Sequence, residues 1–138
     1  MDAHKDKAIR SKYSAALMSN HKWKKFFAVM AEKGAELCSI EYHFTDTENI
    51  LYGSAPSEAQ VWDTAIDDPV VGAGGPVEYK HIEYIVIPHM HEYRAYEKAP
   101  LTKTKQNLSK FLEELEKIGS FPIAETERGI IVYGYKKT

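Results

Sequence analysis

The hydrophobic period of the chain changes after Gly34, and this change constrains the fold more than any other feature. Before it, large apolar side chains recur at positions i, i+3, i+4 and i+7, which places them on one face of a helix. This stripe consists of Trp23, Phe26, Phe27 and Met30. Ser19 and Asn20 are favoured N-cap residues, and Gly34 is a favoured helix stop. From Cys38 to Phe44 apolar and polar residues alternate, which predicts a half-buried strand.

The remaining segments complete an α+β fold. Apolar stripes predict a second helix over Thr102–Ile118 and an N-terminal helix over Lys5–Leu17. Alternation and turn residues predict further strands over 50–53, 58–66, 77–87, 121–126 and 130–135. Short turns join most consecutive strands, so these strands should pair antiparallel. We therefore predict a mostly antiparallel sheet of about five to six strands, with two main helices packed on one face and an extra N-terminal helix.

Length and charge limit the domain organisation and the class of partner. A chain of 138 residues predicts one α+β domain over 1–138, in which 1–18 form a peripheral N-terminal helix. The formal net charge is −2, from 18 basic and 20 acidic residues. A nucleic-acid partner is not expected, because phosphate binding draws on a basic excess.

Cysteine usage and hydropathy predict a cytoplasmic protein. Cys38 is the only cysteine, so no intrachain disulfide can form, and a reducing compartment fits. The first twenty residues lack the apolar core of a secretory signal. The most apolar stretch, Ile82 to Met90, is far shorter than the roughly 20 residues that cross a bilayer, so no membrane association is expected.

A histidine cluster is the clearest candidate metal site. His89 and His91 would point the same way on an extended segment, and imidazole suits zinc, nickel or copper. His81 and Glu83, on the preceding predicted strand, are further candidate ligands. A tetrahedral site needs a third and usually a fourth ligand, which the spacing does not supply clearly. The alternative is that these histidines are surface residues with ordinary hydrogen bonds.

Other candidate motifs favour structural roles. The glycines of residues 72–75 are followed by Pro76 and a predicted strand, whereas a phosphate-binding loop opens a helix, so a flexible connector is expected. Cys38 falls on the apolar parity of its strand and should be buried. No nucleophile-elbow, triad or kinase motif is found. We therefore assign no catalytic residue and no cofactor, and whether the chain is an enzyme stays open.

Tyrosines in and beside the sheet either fill the core and the sheet edges or form a binding surface. A sheet covered by helices on one side leaves the other side partly wet, and tyrosine there offers contact area with a polar tip. Tyr84 shares the parity of Ile82 and Val86 and is expected in the core. The odd-numbered residues would form a mixed opposite face with Ile85 and Ile87. The candidate partner-binding residues are Tyr79, His81, Glu83 and Trp62.

The sequence resembles a family of small bacterial proteins of unassigned function. The resemblance rests on an Asn-x-Lys-Trp helix start and on a Gly-Pro-x-x-Tyr-x-x-Ile-Glu-Tyr strand. The matching positions are Asn20, Lys22, Trp23, Gly75, Pro76, Tyr79, Ile82, Glu83 and Tyr84. It covers roughly residues 19–135 and leaves the first segment, 2–18, outside. The resemblance implies no activity and no catalytic residues.

The sequence is compatible with two functions. The first is a non-enzymatic protein-binding or regulatory module, of which the immunity proteins are an analogue in size and type. It is favoured by the tyrosine-rich sheet, the slight acidity and the missing catalytic motifs. The alternative is a small metal-binding protein or metal-dependent hydrolase that uses His89 and His91. A homodimer through an unpaired sheet edge is also compatible with the pattern.

Overall fold

The computed structural model describes residues 13–33, 37–69 and 75–137. These residues form the helices α1 (Asn20–Lys33) and α2 (Leu108–Glu116). The strands, in chain order, are β1 (Tyr13–Ala16), β2 (Ile40–Phe44), β3 (Ile50–Gly53), β4 (Ala65–Ile66), β5 (Val77–Glu78), β6 (Ile82–Pro88), β7 (Met90–Tyr93), β8 (Thr102–Lys105), β9 (Ile123–Glu125), β10 (Gly129–Tyr133) and β11 (Tyr135–Lys137). Single 3₁₀ turns occupy Glu58–Gln60 and Tyr79–His81.

A five-stranded antiparallel sheet organises the fold, in the order β3-β2-β6-β10-β9. A two-residue turn joins β9 and β10 into a hairpin. There Thr126 N–H donates to the carbonyl of Gly129 at 2.7 Å, and Gly129 N–H donates back at 3.2 Å. The expected antiparallel sheet with helices on one face is therefore confirmed, as is the hairpin closing near Gly129.

Both helices cover one face of this sheet with the stripes that the sequence indicates. α1 buries Trp23, Phe26, Phe27 and Met30, and α2 buries Leu108, Phe111 and Leu115. The helices meet where the Phe26 and Phe111 rings lie 5.5 Å apart, edge to face. Ser19 caps α1, because its hydroxyl accepts from Lys22 N–H at 3.1 Å. The predicted stop at Gly34 lies outside the described residues.

The predicted N-terminal helix is wrong over its described part. Tyr13–Ala16 forms β1, which pairs antiparallel with β11 at the other end of the chain. The weak apolar spacing favoured a helix, but the pairing partner lies more than a hundred residues away and is invisible to local pattern. Residues 5–12 of this prediction lie outside the described residues.

Three further assignments are corrected. The second helix starts at Leu108 instead of Thr102, because Thr102–Lys105 pairs as β8 with β7. This pairing also makes residues 90–93 the strand β7, which lies outside the predicted strands. The predicted strand over 58–66 is a 3₁₀ turn followed by the two-residue strand β4.

Cys38 is exposed, and its predicted burial is wrong. β2 begins two residues later, and the segment before it is held by the buried side chain of Gln106. The Gln106 Oε1 accepts from Cys38 N–H at 2.8 Å and from Ser39 N–H at 3.1 Å. Its amide nitrogen contacts the carbonyls of Ser39 at 3.2 Å and Pro88 at 2.7 Å. Gln106, which lies just before α2, thereby joins the segment before β2 to the end of β6.

Candidate functional site

The face of the central sheet opposite the helices carries a cluster of aromatic and charged side chains. Residues directly paired across antiparallel strands point to the same side of a sheet. The register pairs Glu41 with Val86 and Tyr52, and His43 with Tyr84 and Ile50. It also pairs Val86 with Ile131 and Tyr84 with Tyr133. We call the following set the open face: Glu41, His43, Ile50, Tyr52, Tyr84, Val86, Ile131 and Tyr133.

Aromatic rings form the centre of the open face. The His43 imidazole stacks on the Tyr84 ring with centroids 4.1 Å apart, and Tyr84 lies 6.0 Å from Tyr133. Tyr133 is 36% exposed and Tyr52 is 59% exposed. Large, rigid rings that remain accessible offer apolar contact area together with a hydroxyl for hydrogen bonds.

A β-bulge places a carboxylate beside these rings. His43 pairs with Tyr84 and Phe44 pairs with Ile82, so Glu83 is the extra residue of β6. An extra residue bends the strand and re-aims its side chain. Glu83 therefore lies at the edge of the open face, although strand parity alone would send it to the side opposite Tyr84.

An apolar cleft of about 440 Å³ opens next to this bulge. Its lining consists of Leu17, Glu83, Tyr84, Ile131, Tyr133, Tyr135 and Lys136. One wall is fixed by Tyr13, whose hydroxyl donates to Glu83 Oε1 at 2.5 Å and whose ring stacks on Tyr135 at 4.9 Å. Burial and the Glu83 carboxylate raise the pKa of Tyr13 far above its ordinary value, so this phenol stays protonated as a donor.

A close backbone crossing holds the cleft together. Gly134 N–H donates to the Glu83 carbonyl at 2.7 Å, and the Gly134 carbonyl accepts from Leu17 N–H at 2.8 Å. A Cβ atom at this position would lie 2.4 Å from the Ile82 carbonyl oxygen. Only glycine lets the link between β10 and β11 pass this close to β6.

An ion pair crosses the other half of the open face. Arg128 Nη2 donates to Glu41 Oε1 at 2.7 Å, and Glu41 is only 8% exposed. The hydrogen bond and charge of Glu41 raise the pKa of Arg128 above its already high ordinary value. Because Arg128 lies in the β9–β10 hairpin turn and Glu41 lies on β2, the pair spans β6 and ties the turn to a strand that pairs with neither β9 nor β10.

His43 is poised as a neutral side chain. Burial lowers its pKa below 6.5, an effect that the nearby Glu41 and Glu83 carboxylates oppose and Arg128 reinforces. The imidazole is therefore uncharged at neutral pH, and it stacks on the Tyr84 ring as a neutral group. Protonation would add a positive charge to a face that already holds Arg128.

The structure separates the candidate metal ligands. His81 and Glu83 flank the start of β6, whereas His89 follows its end. A strand of seven residues is about 20 Å long at roughly 3.3 Å per residue. In the described part of the chain, no three His, Cys, Asp or Glu side chains come together in a metal-holding group. The metal hypothesis stays a prediction, which elemental analysis of the purified protein would check.

The partner-binding candidates also fall in different places. Tyr79 is fully buried, because the 3₁₀ turn at Tyr79–His81 breaks the strand and turns its ring into the core. Its hydroxyl donates to the Trp62 carbonyl at 2.7 Å, and burial raises its pKa to about 12. Trp62 is 44% exposed, and His81 Nδ1 lies 3.7 Å from a carboxylate oxygen of Glu78. Of the four, Glu83 alone lies beside the open face.

Sequence reasoning missed most of the open face. Tyr84 was expected in the core with Ile82, but it points outward because the bulge at Glu83 puts Ile82 and Tyr84 on opposite sides of the sheet. Tyr133 and Ile131 alternate with Ile130 and Val132, which are buried, so this strand's period-two pattern was a usable signal. No local sequence signal marks the Glu41–Arg128 pair, because its two residues lie 87 positions apart in the chain.

The fold and this surface define a class: a small α+β protein with a helix layer on one side of an antiparallel sheet and a tyrosine-rich open face on the other. The chain belongs to a family of unknown function (DUF6678), whose model matches residues 5–138. The suspected membership of a family of unassigned function is thereby confirmed. The match also includes residues 5–18, which the sequence resemblance left outside. No curated protein and no solved structure matches the chain.

Neither described helix has the length and apolar character needed to cross a membrane.

Proposed function

We propose that this protein is a non-enzymatic binding module whose open face docks on another protein. The observation that carries the proposal is the cleft of about 440 Å³ lined by Tyr84 and the exposed Tyr133, on the same face of the sheet as the exposed Tyr52. Tyrosine and other aromatic residues are enriched in protein interfaces, where they bury area and still satisfy their polar tips.

The rigidity of the open face supports this function. His43 stacks on Tyr84, Tyr133 packs at an angle against Tyr84, and Glu83 accepts a hydrogen bond from the Tyr13 hydroxyl. The Glu41–Arg128 pair fixes the hairpin turn against β2. A preorganised surface loses little side-chain entropy on binding, so more of its contact energy appears as affinity.

The setting of the proposed function is the bacterial cytoplasm, where a small regulatory module of this kind would act by covering a partner's surface. A lone, exposed Cys38 fits a reducing compartment. The slight negative charge of the chain favours a protein partner over a polyanion.

Site-specific photo-crosslinking tests the proposal. A photoactivatable amino acid replaces Tyr133 on the open face, and in a control variant it replaces Glu113, an exposed residue of α2. After irradiation in the producing cells, we expect a discrete cross-linked product with a second protein from position 133 and none from position 113. The Glu41→Arg variant, which sets two positive charges side by side, should reduce that product.

Two results would contradict the proposal. One is equal cross-linking from both positions, which would indicate random encounters. The other is a cross-linked dimer of this chain as the only product, which would assign the open face to self-association.

A further inference from the structure

The free edge of the central sheet at β9 lies beside a second surface, distinct from the open face. Among the described strands, β9 is the last of the sheet and pairs only with β10. Between β9 and α2 lie two adjoining cavities of about 650 and 500 Å³. They share Leu112 and Glu125 in their lining and so form one groove along the strand. We call this feature the edge groove.

The backbone of β9 offers hydrogen-bonding groups at this edge. Thr126 and Gly129 exchange both of their backbone hydrogen bonds. In an antiparallel ladder such pairs alternate with pairs whose backbone groups point away from the partner strand. Glu125 is therefore in an outward position, and its N–H and carbonyl point toward the free edge, together with the carbonyl of Ile123. An added strand can bond to these groups.

The groove has an apolar floor and an acidic rim. Ile123 pairs with the buried Val132 and so faces α2, where Leu112 and Phe121 complete the floor. The rim carries the carboxylates of Glu116 and Glu125, both exposed. Neither of them forms an ion pair with another described residue. The opposite end of the groove is positive, since Lys105 lines it near the start of α2.

We propose that the edge groove binds an extended basic segment of another protein, which adds to the sheet alongside β9. Arginine or lysine side chains that point into the groove would lay their aliphatic stems on Leu112 and Ile123. Their charged heads would then reach Glu116 and Glu125, because long cationic side chains bury their stems and expose their tips. A second copy of this chain fits less well, since its own β9 edge would bring the same two carboxylates.

A designed peptide tests this inference. The probe is a fluorescent eight-residue peptide in which threonine and arginine alternate. The control peptide has the same length and alternates threonine and glutamate. We expect the arginine peptide to bind, and at least about tenfold more tightly than the glutamate peptide, because the charge patterns are complementary in one case and opposed in the other. Methylation of the peptide's edge-facing backbone nitrogens should abolish binding.

Two charge reversals on the same helix give the matched control. Glu116 lines the groove, and Glu116→Lys should weaken the binding of the arginine peptide about fivefold, the upper range for one exposed ion pair. Glu113→Lys removes an equally exposed glutamate of α2 outside the groove and should leave binding unchanged. Circular dichroism confirms that both variants keep the fold, and amide NMR shifts should map to residues 123–125 and α2.

Four results would overturn the inference: absence of arginine-peptide binding, equal binding of the two peptides, equal effects of the two reversals, or NMR shifts on the open face. A concentration-dependent dimer that Glu125→Lys dissolves would also overturn it, since it would give the edge to a second copy. The inference does not rest on the proposed function. Tyr133→Ser should leave peptide binding intact, so failure here and failure of the open face are distinguishable.

Discussion

The two faces of the central sheet use the same residue type in opposite ways. On the covered face, Tyr42 and Tyr79 are buried under α1, where the Phe27 ring lies 6.4 Å from Tyr42 and 5.8 Å from Tyr79. On the open face, Tyr84 and Tyr133 keep part of their rings in solvent. A buried phenol must find a hydrogen-bond partner or lose free energy, whereas an exposed one keeps its hydroxyl hydrated until a partner arrives. Covered tyrosines therefore affect stability, and open ones affect binding.

The largest expected effect separates the faces by truncating one ring on each. Phe26→Ala, in the helix α1 that packs on the covered face, removes a fully buried ring that contacts Trp23, Phe27 and Phe111. The unfolding free energy should fall by about 3–5 kcal/mol, as for other buried aromatic truncations. Tyr133→Ala on the open face should cost less than about 1 kcal/mol. Urea denaturation measures both, and equal losses would refute the division between the faces.

The next effect concerns the turn that supports both faces. Gly129 has φ +156°, and a Cβ atom there would lie 2.1 Å from the Ile87 carbonyl oxygen. Gly119 has nearly the same φ, +158°, but open space around it. Both alanine variants carry the same backbone strain. The unfolding free energy of Gly129→Ala should therefore fall by about 2–3 kcal/mol more than that of Gly119→Ala, which is the cost of overpacking. Thermal melts of the two variants provide the measurement, and matching melting temperatures would show that Gly129 does not pack tightly against Ile87.

A smaller effect distinguishes two covered tyrosines. The Tyr79 hydroxyl donates to the Trp62 carbonyl, whereas the buried Tyr42 hydroxyl has no hydrogen-bond partner among the described residues. Tyr79→Phe should cost about 1 kcal/mol, and Tyr42→Phe should be neutral or stabilise by about 1 kcal/mol. Chemical denaturation of both variants tests the contrast. A loss of stability in Tyr42→Phe equal to that in Tyr79→Phe would contradict it.

The smallest effect is a pH dependence on the open face. The pKa of His43 is below 6.5 in the folded protein, so the unfolded chain takes up its proton more readily. The unfolding free energy should therefore fall as the pH drops below about 6.5, and the loss should be complete once the pH passes the lowered folded pKa. In His43→Gln this decrease of the unfolding free energy with falling pH should disappear. If the unfolding free energies of the two proteins change in parallel between pH 5 and 7, His43 is not the source of the pH dependence.

Local pattern predicted the elements whose periods are uninterrupted. The i, i+3, i+4, i+7 stripe of α1 and the alternation in β10 each reflect one face buried against a neighbour. The β9–β10 hairpin followed from Gly129, which the tight turn requires. In each of these elements the residues that decide the structure lie within a few positions of one another.

Pattern failed where pairing partners lie far apart. β8 has four exposed polar residues and no apolar period, and only its ladder with β7 makes it a strand. β1 likewise depends on β11. Tyr79 was expected on a binding face, but the 3₁₀ turn places it in the core. Of the candidate site residues, Glu83 alone ended beside the open face, and a bulge that no local signal marks put it there.

The sequence by itself determined that this protein has one helix-covered sheet, because burying an apolar stripe against alternating strands leaves few other arrangements. It also determined the turn at Gly129 and the absence of an intrachain disulfide. Only the tertiary structure decided which tyrosines face solvent and which carboxylates gather at the edge groove. Parity is lost at every bulge and turn, and the contacts that restore it join residues distant in the chain.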